Sequence, residues 1–141
     1  MPTDVRILEA GLAQLYAQAL VAIARADDAI DLEEGSRLQA KIDLRAGRQM
    51  PLDDLLLAEP LDPDVLATAM REMSGPFRGG GVHPGQLARM IVVDAVEVVL
   101  AKGYISETEA REVMRFATAL GCTVDEVRGM TKHLAPWLPT I

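Results

Sequence analysis

The chain has 141 residues, enough for one domain of ordinary size and too few for two independently cored domains. Its 14 Lys and Arg against 21 Asp and Glu leave a net charge of −7, which disfavours general binding to nucleic acid or to an anionic membrane and favours small cations. Half the residues are hydrophobic and only 4% are aromatic, a composition that suits packed helices better than β-sandwiches or barrels.

Three further features of the sequence limit the class of protein to which the chain can belong. The single cysteine, Cys122, excludes an intramolecular disulfide, and with two histidines it supplies too few soft ligands for a structural zinc site. The N-terminal sequence has no basic leader or continuous apolar segment, so we expect a cytoplasmic protein. The most apolar helix candidate, 87–101, carries charged residues and is shorter than the ~20 residues of a membrane span, so direct membrane insertion is not expected.

Prolines leave two long proline-free stretches, 3–50 and 85–135, and each is predicted to fold as a helix, a break and a second helix. In the first stretch, apolar residues at helical spacing predict helices over 8–23 and 32–46. Asp31-x-x-Glu34 has the form of a capping box at the start of the second of these helices, and Gly47 is placed as its C-cap.

Two shorter helices, over 52–57 and 63–73, are predicted between the proline-free stretches. The second stretch is predicted to hold helices over 86–102, from Ser106 to Gly121, and from Thr123 to about residue 134. The last two start with further capping boxes, Ser106-x-x-Glu109 and Thr123-x-x-Glu126. No strand is predicted.

Segment 75–85, GPFRGGGVHPG, holds five of the 11 glycines and two prolines, and it is predicted to be a loop. We interpret it as a flexible hinge between two helical halves. The alternative is a phosphate-binding loop. Its position after a helix and the lack of Gly-Lys-Ser/Thr disfavour that alternative.

The two long stretches resemble each other at an offset of 75 residues, with 26–34 lying over 101–109. In each, an apolar helix ends in Ala, a turn leads to an isoleucine, a capping residue follows, and a Glu takes the third position of the next helix. We therefore predict a single all-α domain over 1–141, with about six or seven helices in two similar halves, about 4–47 and 86–135.

An apolar helix ending in Ala-Asp-Gly, then x-Ile-x-x-x-Glu and an amphipathic helix, occurs here twice in degenerate form. In this the chain resembles the tellurite-resistance TerB-like family, over about 8–46 and 86–130. The resemblance implies an all-helical fold with its halves packed together and a metal ion held by the acids of the turns. It also implies a non-catalytic role in tellurite resistance or stress response, alongside membrane-associated protein partners.

A divalent metal ion is the cofactor that these turns suggest, with Ca²⁺ or Mg²⁺ preferred to Zn²⁺ because the ligands are carboxylates. Five carboxylates fall within residues 27–34, although the spacing is not that of an EF-hand. Helix capping and the helix macrodipole also favour acids at this position, without any metal ion. The predicted metal ligands are Asp27, Asp28, Asp31, Glu34 and Glu109.

The second turn departs from the family motif, because Lys102 stands where the motif has Asp. A lysine ammonium cannot ligate a cation and would repel one. If the two turns approach each other, Lys102 is expected to form a salt bridge with the acids of the first turn in place of a metal. The sequence thus leaves two hypotheses: a TerB-like metal-binding stress protein, or a metal-free protein-interaction or scaffold domain. A protein partner is expected under both, and homo-oligomerisation is left open.

Charged residues elsewhere are interpreted structurally. Asp94 and Glu97 share a face of the most apolar helix, and a buried carboxylate there is expected to pair with an arginine of a neighbouring helix. Examples of such arginines are Arg71, Arg89 and Arg115. A basic stripe on the second helix is interpreted as a solvated face, and it consists of Arg37, Lys41, Arg45 and Arg48. These residues offer no combination of nucleophile, base and oxyanion site, so an enzyme is not expected.

Overall fold

The computed structural model describes residues 10–26, 30–57, 61–73, 84–100 and 105–132. These residues form seven α-helices and, within the described ranges, no strand, so the described part of the chain is a single all-α domain as predicted. In chain order the helices are α1 (Ala10–Ala24), α2 (Leu32–Ala46), α3 (Leu52–Leu57), α4 (Pro63–Met73), α5 (Pro84–Val99), α6 (Glu107–Ala119) and α7 (Val124–Thr131).

The ends of α2 follow from local hydrogen bonding. The Asp31 carboxylate accepts the backbone N–H of Glu34 at 2.8 Å, and the Glu34 carboxylate accepts the backbone N–H of Asp31, which closes the predicted capping box. Gly47 ends the helix in the left-handed region, with φ of 69°, a conformation that costs a residue with a Cβ about 1–2 kcal/mol. The boxes predicted at Ser106 and Thr123 are likewise present in α6 and α7.

The connection from α2 to α3 is held by two polar side chains of α2. Gln39 donates to the Met50 carbonyl at 2.7 Å and accepts the Leu52 N–H at 2.8 Å. Asp43 accepts the Met50 N–H at 2.9 Å. These bonds satisfy backbone groups that the turn would otherwise leave without helical partners, so α3 is fixed against α2.

The hydrophobic core lies around α1 and α5. Its largest fully buried apolar and aromatic side chains come from five helices. They are Tyr16, Leu20, Ile23, Leu38, Ile42, Leu66, Ile91 and Phe116. Within the described ranges, no helix is long and apolar enough to cross a membrane.

The helix contacts repeat between the two halves of the chain. In the first half α1, α2 and α3 pack against one another, and in the second half α5 packs against α6 and α7, which also contact each other. Across the halves α1 packs against α5, while α2 contacts α5 and α6 contacts α1. Exchanging α1 with α5, α2 with α6 and α3 with α7 therefore reproduces these contacts. Helix α4 has no counterpart in this exchange, and it packs against α1 and α6.

Gly35 in the first turns of α2 is expected to accept alanine with a gain in stability. An added Cβ would lie 3.7 Å from Ile30 Cγ2 and 3.8 Å from Leu52 Cδ2, which is ordinary van der Waals contact. Gly35→Ala is therefore expected to raise the free energy of unfolding by about 0.5–1 kcal/mol, because alanine has less backbone freedom to lose in a helix. Urea denaturation measures the change.

The matched control is the same substitution at Gly121, whose φ is +91°. Gly121→Ala is expected to lower the free energy of unfolding by about 1 kcal/mol, because a Cβ is strained in this backbone conformation even with open space around it. Equal effects at the two glycines would contradict this account.

Candidate functional site

A buried carboxylate in α5, Asp94, joins three helices. Its side chain lies in the core, with the residue 2% exposed. The Tyr16 hydroxyl of α1 donates to Asp94 Oδ2 at 2.6 Å, and Arg45 Nε of α2 donates to the same oxygen at 3.0 Å. Arg45 Nη2 also reaches Asp94 Oδ1 at 3.4 Å, so the guanidinium meets the carboxylate on both oxygens.

Two further side chains carry this network to the surface. Lys41 Nζ lies 3.7 Å from Asp94 Oδ1 and forms an ion pair with Glu97 of α5. The Lys41 and Glu97 side chains are 30% and 37% exposed. The Asp94 network, comprising Tyr16, Lys41, Arg45, Asp94 and Glu97, therefore runs from the core to solvent along the interface of α2 and α5.

The protonation states of the Asp94 network are set by burial and by the carboxylate. Burial, and then the charge of Asp94, raise the pKa of Tyr16 far above its ordinary value. Burial disfavours the guanidinium charge of Arg45, but the hydrogen bond and the charge of Asp94 outweigh it, so the pKa of Arg45 is raised. The phenol is thus neutral and the guanidinium cationic at physiological pH, and neither is suited to exchange a proton during a reaction.

Arg45 pairs with Asp94, and it is not among the arginines that the sequence suggested as partners. The expected ion pair with a neighbouring helix is present, whereas the interpretation of the basic stripe as a solvated face is wrong for Arg45, which is 7% exposed. Arg45 lies on the same face of α2 as the buried residues Leu38 and Ile42. That register, which is readable from the 3.6-residue period, is the signal that sequence reasoning missed.

The Asp94 network has no counterpart in the other half. At the offset of 75 residues, Asp94 corresponds to Ala19 and Arg45 to Leu120. Lys41 corresponds to Phe116, which is fully buried. The interface of α6 with α1 is therefore apolar at the positions where the interface of α2 with α5 is charged. The other half therefore forms the equivalent helix packing without a buried ion pair at these positions.

The predicted metal ligands that the structure describes act in helix caps. Glu34 and Glu109 are buried, at 2% and 0% exposed, and each accepts the backbone N–H of its N-cap residue. Asp31 accepts the N–H of Glu34. Asp27, Asp28 and Lys102 lie outside the described residues.

Within the described ranges, no group of three His, Cys, Asp or Glu side chains is arranged to hold a metal ion. The metal site therefore stays a prediction that depends on Asp27 and Asp28. The glycine-rich hinge interpretation of 75–85 also concerns residues that are mostly outside the described ranges.

Two open grooves flank α2. The α2–α5 groove has a volume of about 470 Å³, with an apolar floor and charged side chains beside it. It is lined by Arg37, Ala40, Lys41, Leu44, Glu97 and Leu100. The α2–α3 groove, of about 370 Å³, runs along the opposite flank of α2 and includes Leu32, which is 88% exposed.

Cys122 follows α6 and is half-buried. Burial, and then the charge of Glu126, raise the pKa of its thiol. The reactive thiolate is thereby disfavoured, and the residue packs against the core as a small apolar side chain.

No protein-family model, curated protein or solved structure matches the chain. The resemblance to the TerB-like family therefore stays a prediction from the motif. The Asp94 network and the α2–α5 groove beside it form the candidate functional site, because charge, an open surface and departure from the internal repeat coincide there.

Proposed function

We propose that this protein is a non-catalytic helical interaction domain that binds a protein partner in the α2–α5 groove. The observation that carries the proposal is the groove itself. Leu44 is 47% exposed on its floor, and the Asp94 network fixes the two helices that form its sides. An exposed apolar floor beside charged side chains is typical of a surface that binds another protein.

The chemistry of the site supports a binding role over a catalytic one. The Tyr16 and Arg45 side chains are buried, and their shifted pKa values hold their protonation states constant near neutral pH. Among the described residues, the side chains that line the groove include an arginine and a Lys–Glu ion pair, but no cysteine, serine, threonine or histidine. Such a set binds and orients charged groups, while bond cleavage needs further groups.

Selection from a displayed library of randomised helical peptides tests this proposal without a known partner. The full chain is the bait, and enriched peptides are measured by fluorescence anisotropy against wild type and Leu44→Gln. We expect peptides whose affinity falls about tenfold on Leu44→Gln, since loss of one buried leucine contact costs about 1.5 kcal/mol.

The matched control is Leu32→Gln, which changes an exposed leucine of the same helix in the other groove. It is expected to leave the affinities unchanged. The proposal fails if every enriched peptide is insensitive to Leu44→Gln, or if Leu32→Gln alone abolishes binding.

A second candidate function is divalent cation binding at the acidic turn, in a cytoplasmic TerB-like protein that acts in tellurite resistance or stress response with a membrane-associated partner. It is supported by the motif and by the density of carboxylates in 27–34. The two functions are compatible, because that turn precedes α2 and the groove lies along the same helix.

Thermal unfolding with added Ca²⁺, Mg²⁺, Mn²⁺ or Zn²⁺ tests the cation hypothesis. An ion that binds the folded chain raises Tm. At an ion concentration of one hundred times Kd, the free energy of unfolding increases by about 2.7 kcal/mol. Ca²⁺ or Mg²⁺ is expected to raise the Tm of the wild-type protein and to raise the Tm of Asp27→Ala by a smaller amount. Identical curves with and without every ion, in both proteins, would exclude the site.

A further inference from the structure

The two halves of the chain contact each other through α1, α2, α5 and α6. α1 packs against α5, α2 packs against α5, and α6 packs against α1. Because these contacts are reproduced when the halves are exchanged, the same geometry allows the first half of one chain to pack against the first half of a second chain. If the second halves pair likewise, two chains form an exchanged dimer in which every half is paired with its like.

The ion pair of Arg45 and Asp94 distinguishes these two ways of pairing. In the structure, Arg45 Nε of the first half lies 3.0 Å from Asp94 Oδ2 of the second half. When two first halves pair, the residue that takes the place of Asp94 is Ala19 of the other chain. When two second halves pair, Leu120 takes the place of Arg45. An exchanged dimer therefore separates both buried ion pairs and forms no new one at these positions, which is strongly unfavourable.

The charges of the Asp94 network lie at only one of the two equivalent interfaces. Its members Tyr16, Lys41, Arg45, Asp94 and Glu97 correspond to Ile91, Phe116, Leu120, Ala19 and Ala22. An ion pair present at both interfaces would be formed in either pairing. An ion pair at one interface is formed only when unlike halves meet, so this asymmetry selects against like halves.

Helix α4 favours the same pairing by apolar contact. It packs against α1 and α6, which belong to different halves, and it buries Leu66 and Ala67. Apolar side chains accept other apolar surroundings of similar volume at a small cost. The contacts of α4 therefore select between the two pairings less strictly than a buried ion pair does.

We propose that the ion pair of Arg45 and Asp94 is a pairing device, which directs the first half against the second half and prevents the exchange of like halves between two chains. Buried polar groups fix the register of coiled coils in the same manner. Once unlike halves are selected, their covalent connection favours halves of the same chain. The proposal does not depend on what binds the α2–α5 groove.

Moving the carboxylate to the equivalent position of the first half tests the proposal. In the relocated variant, Ala19→Asp with Asp94→Ala, pairing of unlike halves places Arg45 against alanine and the new carboxylate against Leu120. When two first halves pair, each new carboxylate meets Arg45 of the other chain, and the second halves pair through apolar side chains at these positions. The relocated variant is therefore expected to form the exchanged dimer.

A matched variant moves the guanidinium as well. Adding Arg45→Leu, Leu120→Arg and Tyr16→Phe to the relocated variant gives the restored variant, in which the ion pair again joins unlike halves. The tyrosine is replaced so that its hydroxyl is not buried without the Asp94 carboxylate. The restored variant is expected to behave as the wild-type protein does.

Joint refolding of tagged and untagged full-length chains measures the exchange. The two chains are unfolded in urea and refolded together, or refolded separately and then mixed, and the untagged chain retained with the tagged chain is quantified. A dimer formed through the surface appears in both procedures, whereas an exchanged dimer needs joint refolding. Retention is expected to be several-fold higher after joint refolding for the relocated variant, and equal in the two procedures for the wild-type and restored proteins.

Equal retention in the two procedures for a relocated variant that circular dichroism shows to be helical would overturn the proposal. So would exchange in the restored variant as strong as in the relocated one. If the relocated variant does not fold, Tyr16→Phe with Arg45→Leu and Asp94→Ala decides, because neither pairing then separates an ion pair at these positions. Exchange above the wild-type level supports the proposal, and exchange at the wild-type level would show that α4 and the covalent connection suffice.

Discussion

Asp94→Asn is expected to lower the free energy of unfolding by about 3 kcal/mol, since removing one partner of a buried ion pair leaves the other charge uncompensated in the core. Asp94 Oδ2 accepts hydrogen bonds from Tyr16 and Arg45, and Oδ1 lies beside Arg45 Nη2 and Lys41 Nζ. Asparagine keeps the shape of the side chain but removes the negative charge, and its amide nitrogen cannot accept a hydrogen bond. Urea denaturation at neutral pH measures the loss.

The control is Glu97→Gln, one turn away on the same helix. Its carboxylate is 37% exposed and contacts only the outer end of the network, so its loss is expected to cost less than about 1 kcal/mol. Similar losses at the two positions would mean that burial of Asp94 does not determine its contribution.

Replacing the three buried members of the Asp94 network with apolar residues distinguishes the effect of lost charge pairing from the effect of lost side-chain packing. Tyr16→Phe, Arg45→Leu and Asp94→Ala together copy the character of the other half, where Leu120 and Ala19 take the equivalent positions. The triple variant is expected to be more stable than Asp94→Asn, because no charge or hydroxyl is then buried without its partner. If the triple variant is the less stable of the two, packing rather than charge pairing dominates at this interface.

The helices were predictable wherever their ends are determined locally. The Asp31 box and Gly47 mark both ends of α2 in sequence, since capping involves residues three or four positions apart. α5 begins at Pro84 instead of the predicted residue 86, because proline fits the first turn of a helix. α6 ends at Ala119, and Gly121 takes the left-handed turn that follows it.

The candidate site was only partly predictable, because its contacts are distant in the chain. Pairing Asp94 with Arg45 depends on how α2 packs against α5, and helical spacing within either helix does not select a partner 49 residues away. The α2–α5 groove could not be predicted for the same reason. The internal repeat was visible in sequence, but that α4 covers one copy of the interface follows only from tertiary packing.

The stability of the wild-type protein is expected to fall steeply as the pH rises above about 10. In the unfolded chain a tyrosine loses its proton near pH 10, while burial and the charge of Asp94 raise the pKa of Tyr16 in the folded chain well above that. Above pH 10 the unfolded state therefore binds fewer protons, and the free energy of unfolding declines by up to about 1.4 kcal/mol per pH unit. Below pH 10 both states keep the proton, and Tyr16 contributes no pH dependence.

Denaturation of wild type and Tyr16→Phe between pH 8 and 11 measures this contribution. The comparison uses the slope of the free energy of unfolding against pH in each protein. The absolute stabilities are not compared, since Tyr16→Phe also removes a hydrogen-bond donor from Asp94. The variant is expected to lose the part of the alkaline slope that Tyr16 supplies. A second measurement uses Tyr104→Phe, which leaves Tyr16 as the single tyrosine of the chain. Its phenolate absorbance is expected to rise only as the helical circular dichroism is lost, and ionisation near pH 10 in the folded protein would show that the phenol is not held by Asp94.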